Sequence, residues 1–332
     1  MIVFADLHLR EETERTVFEQ VLPGILEAAK VDPDQRIAFL GDWWHVRYRV
    51  PIRLQNRVAE WLRECQRSGV RLIMLPGNHD QVDVAGENAL EVFSDLDHVQ
   101  VYSQPTWDRF GFWVPYRKRH EDISQALAMP EPDSVANKWR VLWMHHGVRG
   151  ADMNDRFEDT QGLPRGWFSH WLVFCGHYHK RQTVGTVTYV GSPYQTRADE
   201  SGQDKGYAIW NPETQVMQYM DCHWGKRYHR LRVEPGQSLD LSQVGQGDEV
   251  RVTAAPGVDL GVLTKALDAV SGSVVVMPEV EAPQARLQVG PGASLREYAY
   301  EYAKRHILEC NDGKSLEHLM QVYQELTQGG DR

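Results

Sequence analysis

The chain is expected to be an α/β protein built as a two-sheet sandwich flanked by helices, followed by a small α/β unit and a C-terminal helix pair. Three observations predict this. Short apolar runs alternate with longer amphipathic ones over the first two-thirds of the 332 residues. Five of the apolar runs end in clusters of His, Asp or Asn. The texture changes after Glu234-Pro235-Gly236, where a new strand–helix–strand pattern begins.

The composition is 42% hydrophobic and 25% charged, ordinary for a globular protein with a substantial core. Length alone suggests about two domains. The boundaries expected are 1–235 for the main domain, 236–282 for a small α/β capping unit, 283–292 for a linker and 293–328 for a helix–loop–helix. The net charge of −10 argues against a simple electrostatic clamp on nucleic acid. The start MIVFADLHLR has no basic flank and apolar stretch of a signal peptide, and no apolar run approaches membrane-spanning length. A cytoplasmic protein, neither secreted nor membrane-bound, is expected. Cys65, Cys175, Cys222 and Cys310 form no C-x-x-C pair and read as buried free thiols.

In chain order, strands are expected at Ile2–Ala5, Arg36–Leu40, Val70–Leu75, Arg140–Met144 and Trp171–Cys175. Helices are expected near Glu12–Lys30, Ile52–Arg67 and Glu87–Ser94. Further strands follow at Thr186–Val190, Gly206–Trp210, Gln215–Tyr219 and Tyr228–Val233. In the small unit Glu249–Ala254 alternates as a strand, Leu260–Val270 as a helix and Ser273–Val280 as a strand. Pro283, Gly290, Pro291 and Gly292 mark the linker. Ser294–Leu308 and Ser315–Leu326 read as amphipathic helices joined by Asn311-Asp312-Gly313. Their stripes of Leu295, Tyr298, Ala299 and Tyr302, and of Leu319, Val322, Tyr323 and Leu326, fit a partner surface or packing on their own domain equally well.

The chemistry concentrates where the apolar runs stop. IVFA leads into Asp6-Leu7-His8, IAFL into Gly41-Asp42-Trp43-Trp44-His45, and RLIML into Pro76-Gly77-Asn78-His79-Asp80. VLWM leads into His145-His146-Gly147 and LVFC into Gly176-His177-Tyr178-His179. Ligands of α/β folds sit beyond the carboxyl ends of strands, so five such loops would build one cluster. Each motif alone has a plainer reading as turn chemistry. Gly-His-x-His is the exception, with about 0.05 chance matches expected in a chain of this composition. Asp6, His8, Asp42, Asn78, His145, His177 and His179 are too many donors for one tetrahedral zinc. They suit two ions of intermediate hardness sharing a carboxylate. Such a pair lowers the pKa of water and neutralises a phosphoryl oxygen.

Asp6-x-His8, Gly41-Asp42, Gly77-Asn78-His79-Asp80, His145 and Gly176-His177-x-His179, in that order, resemble the calcineurin-like metallophosphoesterase signature. Gly191-Ser192-Pro193, Lys205-Gly206-Tyr207 and the layout of the C-terminal region resemble the SbcD-type DNA-repair nucleases, including the phage recombination endonuclease subunit. The resemblance implies one metal on Asp6, His8, Asp42 and His179, and a second on Asp42, Asn78, His145 and His177. The ions would be Mn2+, with Mg2+ or Fe2+ as alternatives. It implies that His79 protonates the leaving oxygen and that His45 contacts the substrate phosphate. His146 stays open as the alternative to His145, since neighbours on an extended strand face opposite ways.

The activity implied is DNA exonuclease and endonuclease cleavage by two-metal hydroxide attack, within a complex containing an SMC-like ATPase of the SbcC type. A homodimer through Ile52–Arg67 is also implied. A phosphatase or cyclic-nucleotide phosphodiesterase of the same superfamily, or an inactive partner-binding scaffold, are the alternatives. For DNA contact the basic groups are Lys180 and Arg181 past the last motif, then Arg47, Arg49, Arg53 and Arg57. Arg117, Lys118 and Arg119 form another cluster, as do Lys226, Arg227, Arg230 and Arg232. Runs of this kind are usually solvated faces, and Lys180 and Arg181 stand out by adjoining a candidate ligand. Trp43, Trp44 and Tyr178 could stack on a base, although packing is the plainer reading of Trp43.

Overall fold

A computed structural model describes residues 1–132, 140–154, 157–268, 270, 272, 274–278 and 301. Two six-stranded sheets face each other. The first runs Met217–Asp221, Gly206–Trp210, Ile2–Phe4, Arg36–Leu40, Arg71–Leu75, Val99–Val101. The second runs Gln182–Val184, Val187–Tyr189, Leu172–Gly176, Val141–His145, Gly111–Val114, Thr106–Asp108. The four strands from Ile2–Phe4 to Val99–Val101 are parallel, as are the four central strands of the second sheet. Their carboxyl ends therefore emerge at one edge of each sheet, where the polar motifs begin.

Strand alternation sets the layers. Ile2, Phe4, Ile37 and Phe39 face the helices on the outside of the first sheet, where they pack with Val17, Val21, Ile25, Leu54, Val58 and Leu62. Val3, Ala5, Ala38, Leu40 and Ile73 face inward and meet Trp113, Val141, Trp143, Phe174 and Trp210. Val3, Ala5 and Ala38 on the first sheet leave room for Trp113 and Trp143 of the second. Trp143 stacks on Trp113 at 5.0 Å, meets Trp210 edge-on at 5.0 Å, and donates its N–H to the Phe110 carbonyl at 2.9 Å.

Several expectations need correction. The helix expected near Glu87–Ser94 is absent apart from one 3-10 turn at Glu91–Phe93. Asp83 Oδ1 accepts from the backbone of Gly86 and Glu87, and Asn88 Oδ1 accepts from Leu90, so local side-chain bonds replace a helix. Glu12–Lys30 is helical but carries a π-helical segment, Val17–Val21, ahead of Leu22–Val31. The strand expected at Gln215–Tyr219 is shifted to Met217–Asp221, because Asn211 caps a turn in which Gln215 takes φ +61°. Four strands were not expected: Val99–Val101, Thr106–Asp108, Gly111–Val114 and Gln182–Val184. The helix His120–Leu127 and the hairpin Asp152–Asn154 with Phe157–Glu158 were not expected either.

A third, parallel sheet joins Tyr228–Val233, Glu249–Ala254 and Val274–Pro278, covered by the helix Leu260–Leu267. Tyr228–Val233, which precedes the expected boundary at 236, is the edge strand of this small sheet. The linker and the two terminal amphipathic helices lie outside the described residues, as does Cys310. No helix among the described residues is long and apolar enough to cross a membrane. Cys65 and Cys175 are buried free thiols and Cys222 is half-buried.

Truncating the central indole tests the inter-sheet packing. Trp143→Ala is expected to lower unfolding free energy by roughly 3–5 kcal/mol in urea titration.

Candidate metal centre

The motif loops are held in backbone conformations that side-chain residues usually avoid. Asp6, His8, Asp42 and His177 have φ of 55°, 45°, 63° and 94°, four of the six non-glycine residues with positive φ among the described residues. Neighbouring loops stabilise these turns. Asp6 N donates to Gly41 O at 2.9 Å, His8 N to Asp42 O at 2.9 Å, and Leu9 N to Trp43 O at 2.8 Å. The buried Asp80 carboxylate accepts four backbone N–H groups: Asp42 at 2.8 Å, Gly77 at 2.9 Å, Trp43 at 2.9 Å and Trp44 at 3.1 Å. Burial and the nearby Asp42 charge still push its pKa up to about 7. Close approach explains two glycines. A Cβ on Gly77 would overlap the Asp42 carboxylate and backbone nitrogen, and one on Gly176 would overlap the Leu40 carbonyl and the His145 ring.

All seven side chains expected as ligands converge. His8 Nε2 lies 2.9 Å from His179 Nε2 and 3.6 Å from Asp42 Oδ2. The other Asp42 oxygen lies 3.4 Å from His145 Nε2. Asn78 Oδ1 lies 3.1 Å from His145 Nε2 and 2.8 Å from His177 Nδ1. Asp6 accepts the His177 backbone N–H at 3.1 Å on both oxygens. Donor atoms of Asp6, His8 and His179 group within 4.8 Å of one another, as do those of Asp42, His145 and His177. Asp42 thus turns one oxygen toward each group. His146 points elsewhere, its ring nitrogens meeting the carbonyls of Gly147 at 3.1 Å and Arg117 at 3.0 Å.

Outer partners fix which ring nitrogen faces the cluster. His145 Nδ1 donates to Leu40 O at 2.7 Å and His79 Nδ1 to His45 O at 2.7 Å, leaving each Nε2 for the site. His179 Nδ1 meets Glu200 Oε1 at 2.6 Å. Glu200 is buried, yet the His179 bond and Lys205, 3.0 Å away, hold its carboxyl well below the usual range. Lys205 also donates to the His179 carbonyl at 2.7 Å and to Ser192 Oγ at 2.9 Å. These bonds give the Gly191-Ser192-Pro193 and Lys205-Gly206-Tyr207 stretches their structural task.

The donor set fits divalent cations. Asp6 and Asp42 are 0% and 2% exposed, and neither pairs with a lysine or arginine among the described residues. Buried carboxylates need compensating positive charge. Burial pushes Asp6 up to about 6 against the pull of His145 and His179. Burial opposes the charged form of His145, but the Asp42 carboxylate raises it to about 9. Burial and the His145 charge lower His177 to about 3. Oxygen and nitrogen donors of this mix suit intermediate divalent ions.

Around the donors lies a cavity of about 280 Å³ walled by His8, Arg10, His45, His79, Met153 and Arg197, among others. Arg10 and Arg197 carried no sequence signal as site residues, nor did Glu200, since none stands in a motif directly after a strand. His45 stacks with His79 at 5.8 Å, and its Nε2 accepts from Arg10 at 3.1 Å.

Several expected DNA contacts are engaged elsewhere. Arg181 pairs with Asp221 and lies over the Tyr219 ring, and Lys180 meets Asp152 at 2.9 Å. Arg53 and Arg57 both bond the buried Glu14, bracing the helix Ile52–Arg67. Arg117 is buried, donating to the carbonyls of Ser103 and Tyr116. Arg47 and Arg49 remain exposed on the loop after His45. Trp43 and Trp44 are buried at 0% and 2% exposure, so neither offers a face for base stacking. Tyr178 is buried too, donating its hydroxyl to Asp159 at 2.6 Å.

Glu200→Gln removes the carboxylate that orients His179. A loss of about 10- to 100-fold in Mn2+ affinity is expected by calorimetry, with the fold retained.

A curated relative, "Exonuclease subunit 1" of Enterobacteria phage T4, is 21% identical over 202 residues, covering 57% of this chain and 57% of that protein. The chain therefore matches little more than half the length of that relative. The family model of the calcineurin-like phosphoesterases matches residues 1–207, and the chain belongs to that family of metal-binding phosphoesterases.

Proposed function

We propose that this protein is a manganese-dependent DNA phosphodiesterase with exonuclease and endonuclease activity. In this reading it is the nuclease subunit of a repair or recombination complex resembling SbcC–SbcD, working in the cytoplasm. The observation that carries the reading is the Asp42 carboxylate, one oxygen toward His8 and the other toward His145, at the floor of an open cavity. A shared carboxylate between two nitrogen-rich donor groups is the arrangement a two-ion phosphoesterase requires.

Asp6, His8, Asp42 and His179 would hold one ion, and Asp42, Asn78, His145 and His177 the other. Two divalent ions, when bound, supply an acidified water and positive charge against the phosphoryl oxygens. The remaining work belongs to the chain. Arg197 in the cavity wall binds non-bridging oxygens of the scissile phosphate, where a guanidinium fork matches the geometry. His79 is anchored twice, by its backbone N–H on Asp42 Oδ1 at 2.7 Å and by Nδ1 on His45 O at 2.7 Å. That leaves Nε2 to deliver a proton to the leaving 3′ oxygen. His45 acts beside it, presenting the carbonyl that orients His79 and a ring that Arg10 holds.

The relative's description as a subunit supports a partnered assembly. The ATPase-binding role belongs to the two terminal helices, outside the described residues. The exposed Ile52 at the start of Ile52–Arg67 is consistent with a homodimer face there.

With Mn2+, the purified protein is expected to degrade linear DNA and bis(p-nitrophenyl) phosphate faster than p-nitrophenyl phosphate. Preference for the monoester would point to a phosphatase, and no turnover to a scaffold. His79→Ala is expected to abolish DNA cleavage while metal content, read by elemental analysis, stays near two ions per chain. Loss of metal would overturn the general-acid assignment.

A further inference from the structure

A second cavity, of about 540 Å³, adjoins the metal-centre cavity, and Arg10 and His45 belong to the walls of both. Its size falls within the range of about 300–1,000 Å³ typical of small-molecule sites. Val46 and Pro51 supply accessible apolar wall backed by the buried Leu9 and Trp44, while Glu11, Glu12, Arg49 and Arg10 supply polar groups around it. Such a lining suits neither a purely apolar ligand nor a simple anion. It suits an amphipathic one with a flat apolar body, hydrogen-bonding edges and a negative group at the end nearest Arg10. A nucleoside joined to a phosphodiester has that chemistry.

Arg10 occupies the partition. Its Nη1 donates to His45 Nε2 at 3.1 Å, and its Nε lies 3.5 Å from the Glu12 carboxylate. Both partners are replaceable. A neutral imidazole is a weak acceptor beside a phosphate, and Glu12 is 78% exposed, so that pair is screened by water. A phosphodiester passing from one cavity to the other would meet the guanidinium between them.

We propose that this second cavity is the subsite for a nucleotide one step beyond the bond that is cut, with Arg10 the specificity-determining residue that grips the uncut phosphodiester linking it to the nucleotide at the metal centre. The inference rests on the nuclease reading above and deepens it. The enzyme recognises a polynucleotide through at least one nucleotide beyond the bond it cuts. A small diester lacking that nucleotide uses the metal-centre cavity alone.

The test compares a single-stranded oligothymidylate with bis(p-nitrophenyl) phosphate in Mn2+, for the wild type, Arg10→Ala, Arg10→Lys and Val46→Trp. Val46 is 48% exposed, so an indole there fills the open cavity without disturbing the core. The ratio of kcat/KM for oligonucleotide over small diester is expected to fall by about tenfold or more in Arg10→Ala and Val46→Trp, chiefly through KM. Arg10→Lys is expected to recover part of the loss, since charge returns without the planar fork. Proportional loss on both substrates, or an unchanged ratio in both variants, would overturn the subsite while leaving the nuclease reading standing. A wild type that turns over the small diester but not the oligonucleotide would overturn the nuclease reading itself, and the subsite with it.

Discussion

The architecture of the site depends on one buried carboxylate that touches no expected ligand atom. Asp80 gathers the backbone N–H groups of Asp42, Trp43, Trp44 and Gly77, and so ties the loop after the second strand to the loop after the third. That clamp holds Asp42 in its left-handed turn at φ 63°, a conformation costing of order 1–3 kcal/mol. Without it Asp42 would relax toward ordinary backbone and its two oxygens would no longer divide between His8 and His145. Charged acceptors make the strongest hydrogen bonds to backbone N–H, which is why a carboxylate serves here better than an amide.

The sandwich supplies the second constraint. Four parallel strands in each sheet deliver their following loops to the same edge, and the registers align the ends: Leu40 pairs with Leu75 and Gly176 with His145. The inter-sheet layer then fixes how near the two edges come. Indoles from the second sheet sit against valine and alanine of the first, and the Leu40 carbonyl reaches His145 Nδ1 across that gap at 2.7 Å. A hydrogen bond between sheets thereby orients an imidazole within the site, so core packing and ligand geometry are one problem.

Much of this was legible in the sequence because the chemistry sits directly after apolar strands. Asp6, Asp42, Asn78, His145 and His177 follow their strands within a few residues, and parallel topology brings such positions together whatever the loops do. His145 was preferred over His146 because it directly follows its apolar run, and its ring lies beside Asp42 while the His146 ring meets the carbonyls of Gly147 and Arg117. Glu200 and Arg10 were not legible. Glu200 acts through a loop that returns from Gly191 to Lys205, a long-range placement that no local spacing encodes. Strands of three or four residues, such as Val99–Val101 and Gly111–Val114, are too short to show periodicity. The expected helix near Glu87–Ser94 failed where Asp83 and Asn88 outcompeted the backbone for its own hydrogen bonds. Basic runs were the least legible. Arg53, Arg57, Arg117 and Arg181 are consumed by internal acceptors, and charge in a sequence does not reveal who already holds it.

The same point resolves the tension between an acidic chain and an anionic substrate. A net charge of −10 is a sum over the whole molecule, but at physiological ionic strength charges act over a Debye length of about 8 Å. What a phosphodiester meets is the cavity itself, where Arg10 and Arg197 stand above carboxylates that bound cations would overcompensate. Distant acidic groups weaken loose adsorption along the duplex, which draws its affinity from many simultaneous phosphate contacts. They do little to a single phosphate already inside the site. In the nuclease reading proposed above, such a site trades general affinity for DNA against discrimination at the bond that is cut. That reading assigns retention on the polymer to an attached partner, a division of labour between holding and cutting.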